Sequence, residues 1–130
     1  MAEPSVEQLN TVLRGFDRLY GLQLVGCAEG EVFAQVAVRD ELKQPAGLVH
    51  GGVYASMAES MTSLATALAV MGDGNTAMGL ANSTSFLRPI TEGVVHAHAS
   101  VIHRGRTTWV WDVRFTDDAG RACAVTRMTI

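Results

Sequence analysis

Cysteine is scarce in this chain of 130 residues, which contains only Cys27 and Cys123. The two lie far apart and form no CxxC pair, so the sequence indicates neither a disulfide framework nor a zinc knuckle. The amino end lacks a basic start followed by an apolar core, and we read no secretory signal there. These features are typical of a protein from a reducing compartment, and we predict a cytoplasmic location.

Charge is also low, at 18% of residues against 48% hydrophobic, and the formal net charge is −3. Lys and Arg are scattered singly, so no basic stripe is available to neutralise the phosphates of a nucleic acid. The most apolar window, residues 52–70, contains six Ser, Thr or Glu residues, and is too polar to span a membrane. We predict one domain over residues 1–130 with neither nucleic acid nor membrane as a partner.

The hydrophobic pattern predicts a short helix, two strands, one long helix and four further strands. We place the first helix from an N-cap at Ser5 to about Tyr20, and the long helix from Gly51 or Gly52 to a turn at residues 72–75. Alternating apolar residues and turn signals predict strands at residues 22–27, 31–39, 76–87, 93–103, 107–116 and 121–129. A helix that is apolar on most of its circumference must be covered, so we predict an α+β fold with an antiparallel sheet wrapped around it.

Glu59 is the only formally charged side chain between Lys43 and Asp73. Helical spacing puts it in a polar stripe that we predict faces away from the sheet, with Ser56, Thr62, Ser63 and Thr66. A carboxylate buried in such a helix would have a raised pKa and could serve as a general base or nucleophile. A structural role, such as pairing with an arginine, is equally consistent with the spacing.

Two glycines, Gly51 and Gly52, stand at the predicted start of the long helix. Free N–H groups and the helix dipole favour negative charge there, so the pair could form an oxyanion hole, although an ordinary helix entry would look the same. Eight residues separate Gly51 from Glu59 by roughly 12 Å along a helix axis. If both act on one carbonyl, Glu59 must meet Gly51 of a second subunit, which predicts a symmetric dimer.

The segment resembles a known family. Gln44, then His50-Gly51-Gly52, then Glu59 with Ser63 one turn later, are similar to the hotdog-fold acyl-CoA thioesterases, in the branch acting on 4-hydroxybenzoyl-CoA and phenylacetyl-CoA. The resemblance covers about residues 22–130. It implies a sheet wrapped around a long helix, dimers that often pair into tetramers, and coenzyme A as part of the substrate with no metal or other cofactor.

The resemblance also implies roles for single residues. Glu59 would be the nucleophile or general base, the Gly51 N–H would polarise the thioester carbonyl with help from Gln44, and Ser63 would orient water or the acyl group. The family more often has Thr at the position of Ser63. His50 is also a candidate catalytic residue, because related dehydratases use a His with an acidic residue; the alternative is a helix-entry residue that holds the loop by hydrogen bonds.

Other candidate sites are less distinctive. Arg88, Arg106 and Thr107 could bind the phosphates of coenzyme A, although surface arginines are more often solvated turn charges. His96 and His98 share one strand face, but no third ligand is evident, and we predict no metal site. Trp109 and Trp111 are interpreted as core or interface anchors.

These observations predict hydrolysis of a small, aromatic acyl-CoA to the free acid and coenzyme A by a homodimer or homotetramer. Two alternatives stay open: a hotdog dehydratase or hydratase, and a non-catalytic module that binds acyl-CoA.

Overall fold

The computed structural model describes residues 4–130 of the chain. In that part the helices are α1 (Val6–Val12), α2 (Phe16–Tyr20) and α3 (Gly51–Val70), with 3-10 turns at Asp40–Leu42 and Met71–Asp73. The strands are β1 (Gln23–Ala28), β2 (Glu31–Ala37), β3 (Ala81–Phe86), β4 (Val94–Arg104), β5 (Trp109–Thr116) and β6 (Ala122–Thr129). They form one antiparallel sheet in the order β1-β2-β4-β5-β6-β3.

The core lies between α3 and the inner face of this sheet. α3 packs against β2, β3, β4, β5 and β6, and its Met57 and Met61 are fully buried. Alternate residues of β5, including Trp111 and Phe115, supply the facing side chains and are equally buried. The predicted α+β arrangement is therefore confirmed, and Trp111 is a core anchor.

A buried hydrogen bond fixes α3 against β5. The indole Nε1–H of Trp111 donates to Thr66 Oγ1 at 2.9 Å, and Thr66 is almost fully buried. Because no water reaches this pair, loss of the hydroxyl would leave a buried donor without an acceptor.

We therefore expect Thr66→Val, which keeps the shape of the side chain, to lower the free energy of unfolding by about 1–3 kcal/mol. Urea denaturation measures this difference. Thr66→Ser is the matched control, since it retains the acceptor oxygen and should lose less. An equal loss in both variants would show that packing, and not the hydrogen bond, matters at this position.

The polar stripe of α3 is split, and the prediction that all of it faces away from the sheet is wrong. Thr62 and Thr66 are buried against the sheet, and their hydroxyls donate to the carbonyls of Ala58 at 2.6 Å and Thr62 at 2.7 Å. Threonine tolerates such burial because a carbonyl one turn earlier satisfies its hydroxyl. Ser56, Glu59 and Ser63 are the members that stay on the open side of α3.

The predicted single helix up to Tyr20 is also wrong, because it is two helices. Ser5 caps α1 through a capping box with Gln8, as the sequence indicates. The chain then leaves the helical region at Leu13 (ψ 130°) and Gly15 (φ 53°, ψ −121°), conformations that an α-helix does not allow. The break lets Leu13 enter the core with 7% exposure.

Strand β3 begins at Ala81, five residues after the predicted start at 76. Residues 76–80 approach the sheet without pairing as a strand, and the chain passes close to β6 at Gly79. A Cβ at Gly79 would lie 2.8 Å from Met128 Cε, so only glycine fits there without displacement. The other predicted strands agree with the structure within about two residues.

The two edges of the sheet differ. At β1, the Asn10 side chain donates to the Leu24 carbonyl at 2.8 Å and accepts from the Leu24 N–H at 2.9 Å, which occupies backbone groups of this edge. At the opposite edge, β3 pairs with β6 on one side, and its other side faces outward. Large apolar side chains are exposed beside it, namely Met78, Leu80, Phe86 and Leu87. An edge of this kind is prone to pair with another strand.

Candidate active site

The start of α3 leaves one backbone amide available. His50 is the N-cap, and its Nδ1 accepts the Gly52 N–H at 2.9 Å. The His50 carbonyl accepts the Val53 N–H at 3.0 Å. Within residues 4–130, no acceptor takes the N–H of Gly51. This N–H lies at the positive end of a helix of 20 residues, where it can donate to an oxyanion.

Glycine at position 51 lies in close contact with an aromatic ring. A Cβ on this residue would lie 2.6 Å from Cζ of Phe86 on β3, well inside van der Waals contact. Phe86 is 61% exposed in the single chain and its ring lies 6.0 Å from that of Tyr54. Any side chain at position 51 would therefore push the Phe86 ring out of place.

A cleft of about 430 Å³ opens beside this amide. It is lined by Gln44, Leu48, Val49, Gly51, Tyr54, Phe86, Leu87, Arg88, Pro89 and Cys123. Gln44 Oε1 accepts the Ala46 N–H at 2.6 Å, which orients the side-chain amide and leaves its NH₂ as a donor. The structure thus brings together three of the predicted residues: Gly51, Gln44 and Arg88.

His50 sits at the helix entry and is not among the residues that line this cleft. Because Nδ1 accepts the Gly52 N–H, the neutral ring carries its proton on Nε2. This geometry matches the interpretation of His50 as a residue that holds the loop in place.

Glu59 lies in a different cleft, of about 380 Å³. Its lining residues are Arg14, Phe16, Asp17, Ser56, Glu59, Ser60 and Ser63. The prediction of a buried carboxylate is wrong for the single chain, because Glu59 is exposed. In the described part of the chain its carboxylate makes no ion pair with an arginine and no hydrogen bond, so it is available to react.

The candidate residues of one chain are therefore divided between two clefts, which we call half-sites. The first cleft holds Gly51 and Gln44, and the second holds Glu59 and Ser63. Gly51 and Glu59 belong to the same helix, α3, and are roughly 12 Å apart along its axis. The single chain does not bring the carboxylate to the amide, as the sequence spacing indicates.

The predicted phosphate-binding residues are also separated. Arg88 lines the first cleft, near the start of α3. Arg106 and Thr107 lie in the β4–β5 turn, just beyond the Arg104–Trp109 pair. Trp111, on the same end of β5 as this turn, contacts Thr66 of α3. Thr66 lies roughly 22 Å from Gly51 along the axis of α3. Arg106 and Thr107 are therefore at the opposite end of the sheet from Arg88.

Comparison with known proteins identifies the family. The sequence profile described as the thioesterase superfamily matches residues 46–124, which is more than half of the chain. The chain belongs to the thioesterase superfamily.

Individual thioesterases agree with this assignment. A solved mutant of thioesterase PA1618 from Pseudomonas aeruginosa is 34% identical, with a TM-score of 0.93 over 98% of this chain and 93% of that one. Thioesterase HI1161 from Haemophilus influenzae is 31% identical, with a TM-score of 0.92 over 98% and 90% of the two chains. The 1,4-dihydroxy-2-naphthoyl-CoA hydrolase of Listeria monocytogenes is 31% identical over 116 residues, 89% of this chain and 94% of that protein. The predicted hotdog-fold thioesterase is confirmed, and the protein is a thioester hydrolase.

Sequence reasoning about this thioesterase missed one wall of the Glu59 cleft. Arg14, Phe16 and Asp17 come from the junction of α1 and α2, and the prediction of one continuous helix concealed that junction. Asp17 Oδ1 accepts a hydrogen bond of 2.5 Å from the Ser60 hydroxyl of α3. Gly15 was the one local signal that could have revealed the break.

Two of the three histidines of β4, His96 and His98, each face a carboxylate on the outer side of the thioesterase sheet. His96 Nε2 lies 2.8 Å from Asp118 Oδ1, and His98 Nε2 lies 2.9 Å from Glu31 Oε1. Among residues 4–130, no cluster of three or more His, Cys, Asp or Glu side chains could hold a metal ion. No helix in the described region is long and apolar enough to cross a membrane.

Proposed function

We propose that the protein hydrolyses a small aromatic acyl-CoA to the free acid and coenzyme A, at a site that two subunits share. The observation that carries this proposal is the division of the half-sites. The Gly51 amide and the Glu59 carboxylate both lack hydrogen-bond partners within residues 4–130, yet they line different clefts. The amide and the carboxylate can act on one thioester carbonyl only if α3 of a second subunit lies beside α3 of the first.

The exposed edge at β3 supports the dimer. Pairing of two β3 strands would satisfy their outer backbone groups and cover the apolar side chains beside them, Met78, Leu80, Phe86 and Leu87. A two-fold axis at this edge makes the two α3 helices antiparallel neighbours, which carries Glu59 of one toward Gly51 of the other. We further propose that two such dimers form a homotetramer, which sedimentation analysis would test.

Hydrolysis then follows from the chemistry of the two half-sites. The thioester carbonyl oxygen accepts the Gly51 N–H, with the Gln44 NH₂ as a second donor, so the negative charge that develops on this oxygen is stabilised. Glu59 of the partner subunit removes a proton from a water that attacks the carbonyl carbon, or attacks this carbon itself to form an anhydride that water then opens. The C–S bond breaks and the thiolate of coenzyme A leaves. Ser63, one turn after Glu59, is placed to orient the water or the acyl group.

The remaining assignments are part of the same proposal. His50 holds the loop that presents the Gly51 amide, Arg88 binds the phosphates of coenzyme A beside that amide, and no metal takes part. Arg106 and Thr107 lie at the opposite end of the sheet in the same chain, so they bind these phosphates only from another subunit of the oligomer. The name of the Listeria relative, a naphthoyl-CoA hydrolase, supports an aromatic acyl group and coenzyme A as the thiol. The cytoplasmic location stays a prediction from the sequence.

The experiment that tests this function is release of free thiol from a panel of acyl-CoA thioesters at matched concentration. The panel contains benzoyl, phenylacetyl, 4-hydroxybenzoyl, 1,4-dihydroxy-2-naphthoyl and hexanoyl-CoA. We expect the aromatic members to have the highest kcat/KM. Hydration of crotonyl-CoA without thiol release would instead support a hydratase, and tight binding without turnover would support a binding module.

The role of Arg88 gives a separate prediction. An ion pair with a phosphate of coenzyme A contributes on the order of 1.5–3 kcal/mol, so Arg88→Ala should raise KM for an acyl-CoA roughly tenfold or more. The same acyl group on pantetheine lacks the nucleotide and should show little change in KM. An equal rise for both thioesters would mean that Arg88 shapes the cleft and does not bind the nucleotide.

A further inference from the structure

One wall of the Glu59 cleft lies outside α3 and carries none of the proposed catalytic residues. Arg14, Phe16 and Asp17, from the α1–α2 junction, face the α3 residues Ser56, Glu59, Ser60 and Ser63 across it. The match to the thioesterase superfamily begins at residue 46, so the wall lies outside the matched region. This segment lines the cleft without belonging to α3.

This wall is held firmly against α3. Asp17 Oδ1 accepts hydrogen bonds from the Ser60 hydroxyl at 2.5 Å and from the Tyr20 hydroxyl at 3.3 Å. Tyr20 is 4% exposed, and burial raises the pKa of its phenol, which therefore remains a protonated donor at neutral pH. Phe16 precedes Asp17 directly, so this network fixes the backbone that carries the Phe16 ring.

Phe16 differs from every other residue that lines the cleft. The six others are Ser, Asp, Glu or Arg, and Phe16 alone presents an apolar surface. Phe16 is 62% exposed in the single chain, and its ring packs on the Tyr20 ring with a centroid distance of 5.1 Å. In a cleft that is otherwise polar, the Phe16 ring is the surface against which the apolar part of an acyl group could pack.

We infer that Phe16 is a specificity-determining residue whose ring packs against the acyl group and favours an aromatic ring over a saturated ring of similar size. The inference rests on the proposed function, because it takes the Glu59 cleft as the acyl site. Two aromatic rings in offset or edge-to-face contact gain stabilisation beyond the apolar area they bury, whereas a saturated ring gains only the area term.

The test compares phenylacetyl-CoA with cyclohexylacetyl-CoA, which differ in the ring alone. Intrinsic reactivity cancels when the ratio of their kcat/KM values is compared between variants. Phe16→Ala should lower the preference for the aromatic substrate roughly three- to tenfold, while Phe16→Tyr, which keeps an aromatic face, should stay within about twofold of wild type. Leu19→Ala is the matched control, because Leu19 is 69% exposed on the same helix but does not line the cleft.

The outcomes separate this inference from the proposed function. If wild type is active, Glu59→Gln is inactive and the ratio is unchanged in Phe16→Ala, then the Phe16 assignment is wrong and the function stands. If Leu19→Ala shifts the ratio as much as Phe16→Ala, the effect comes from α2 as a whole and the assignment also fails. If wild type releases no thiol from either substrate or from the wider panel, both proposals fail together. Thermal unfolding of each variant checks that α2 remains folded.

Discussion

Glu59→Gln is expected to lower kcat for thioester hydrolysis on the order of a hundredfold or more, the scale of losing a general base. Glutamine has the shape of glutamate but neither accepts the proton of an attacking water nor attacks the carbonyl carbon. In residues 4–130 the Glu59 carboxylate has no hydrogen bond or ion pair to lose, and its side chain is exposed. We therefore expect stability to be unchanged, within about 0.5 kcal/mol, while activity is lost.

The measurement is thiol release from the best substrate of the acyl-CoA panel, together with urea unfolding of the same preparation. Glu7→Gln is the matched control, because Glu7 is an exposed carboxylate on α1 that lines neither cleft. A Glu59→Gln enzyme that keeps its kcat within a few-fold of wild type would remove Glu59 from the mechanism. A large loss of stability would instead assign it a structural role.

Much of the fold could be predicted because its signals are local. The alternation of Trp109 to Thr116 and the turn residues around it define β5, and the glycines at 51 and 72 bracket α3 closely. The failures arise where tertiary contacts override local propensity. Leu13 leaves the helix to enter the core, and Thr66 is buried because Trp111, 45 residues away in sequence, donates to it.

The residues of the candidate site also fall into those with a local sequence signal and those placed by tertiary contacts. Gly51, Glu59 and Ser63 could be found from spacing on one helix, and the distance between the first two predicts a second subunit. The Arg14 to Asp17 wall could not, because Asp17 meets Ser60 across 43 positions of sequence. The exposure of Glu59 was also missed. The apolar composition of α3 indicates that Glu59 is buried only if the whole circumference of the helix is covered.

Removing the Gly51 N–H should be as damaging as removing the Glu59 carboxylate. Gly51→Pro deletes this hydrogen at the first position of α3, where proline is otherwise compatible with a helix. Loss of one oxyanion donor costs roughly 100- to 1,000-fold in kcat. Gly51→Ala is the matched control, because its Cβ disturbs Phe86 in the same way but the N–H remains. If both variants lose the same activity, the amide is not a donor and displacement of Phe86 explains the defect.

Mixing the two inactive variants tests whether the site is shared. In a heterodimer of Glu59→Gln with Gly51→Pro, one site combines an intact Gly51 amide with an intact Glu59 from the other subunit, and the second site has neither. Random exchange makes half of the dimers heterodimers, so activity should recover to roughly a quarter of the wild-type value from less than a few per cent in either parent. Heterodimers purified through two different tags should reach about half. If each site lay within one chain, every subunit would carry one defect and no mixture would regain activity, so recovery depends on the carboxylate and the amide acting across the interface.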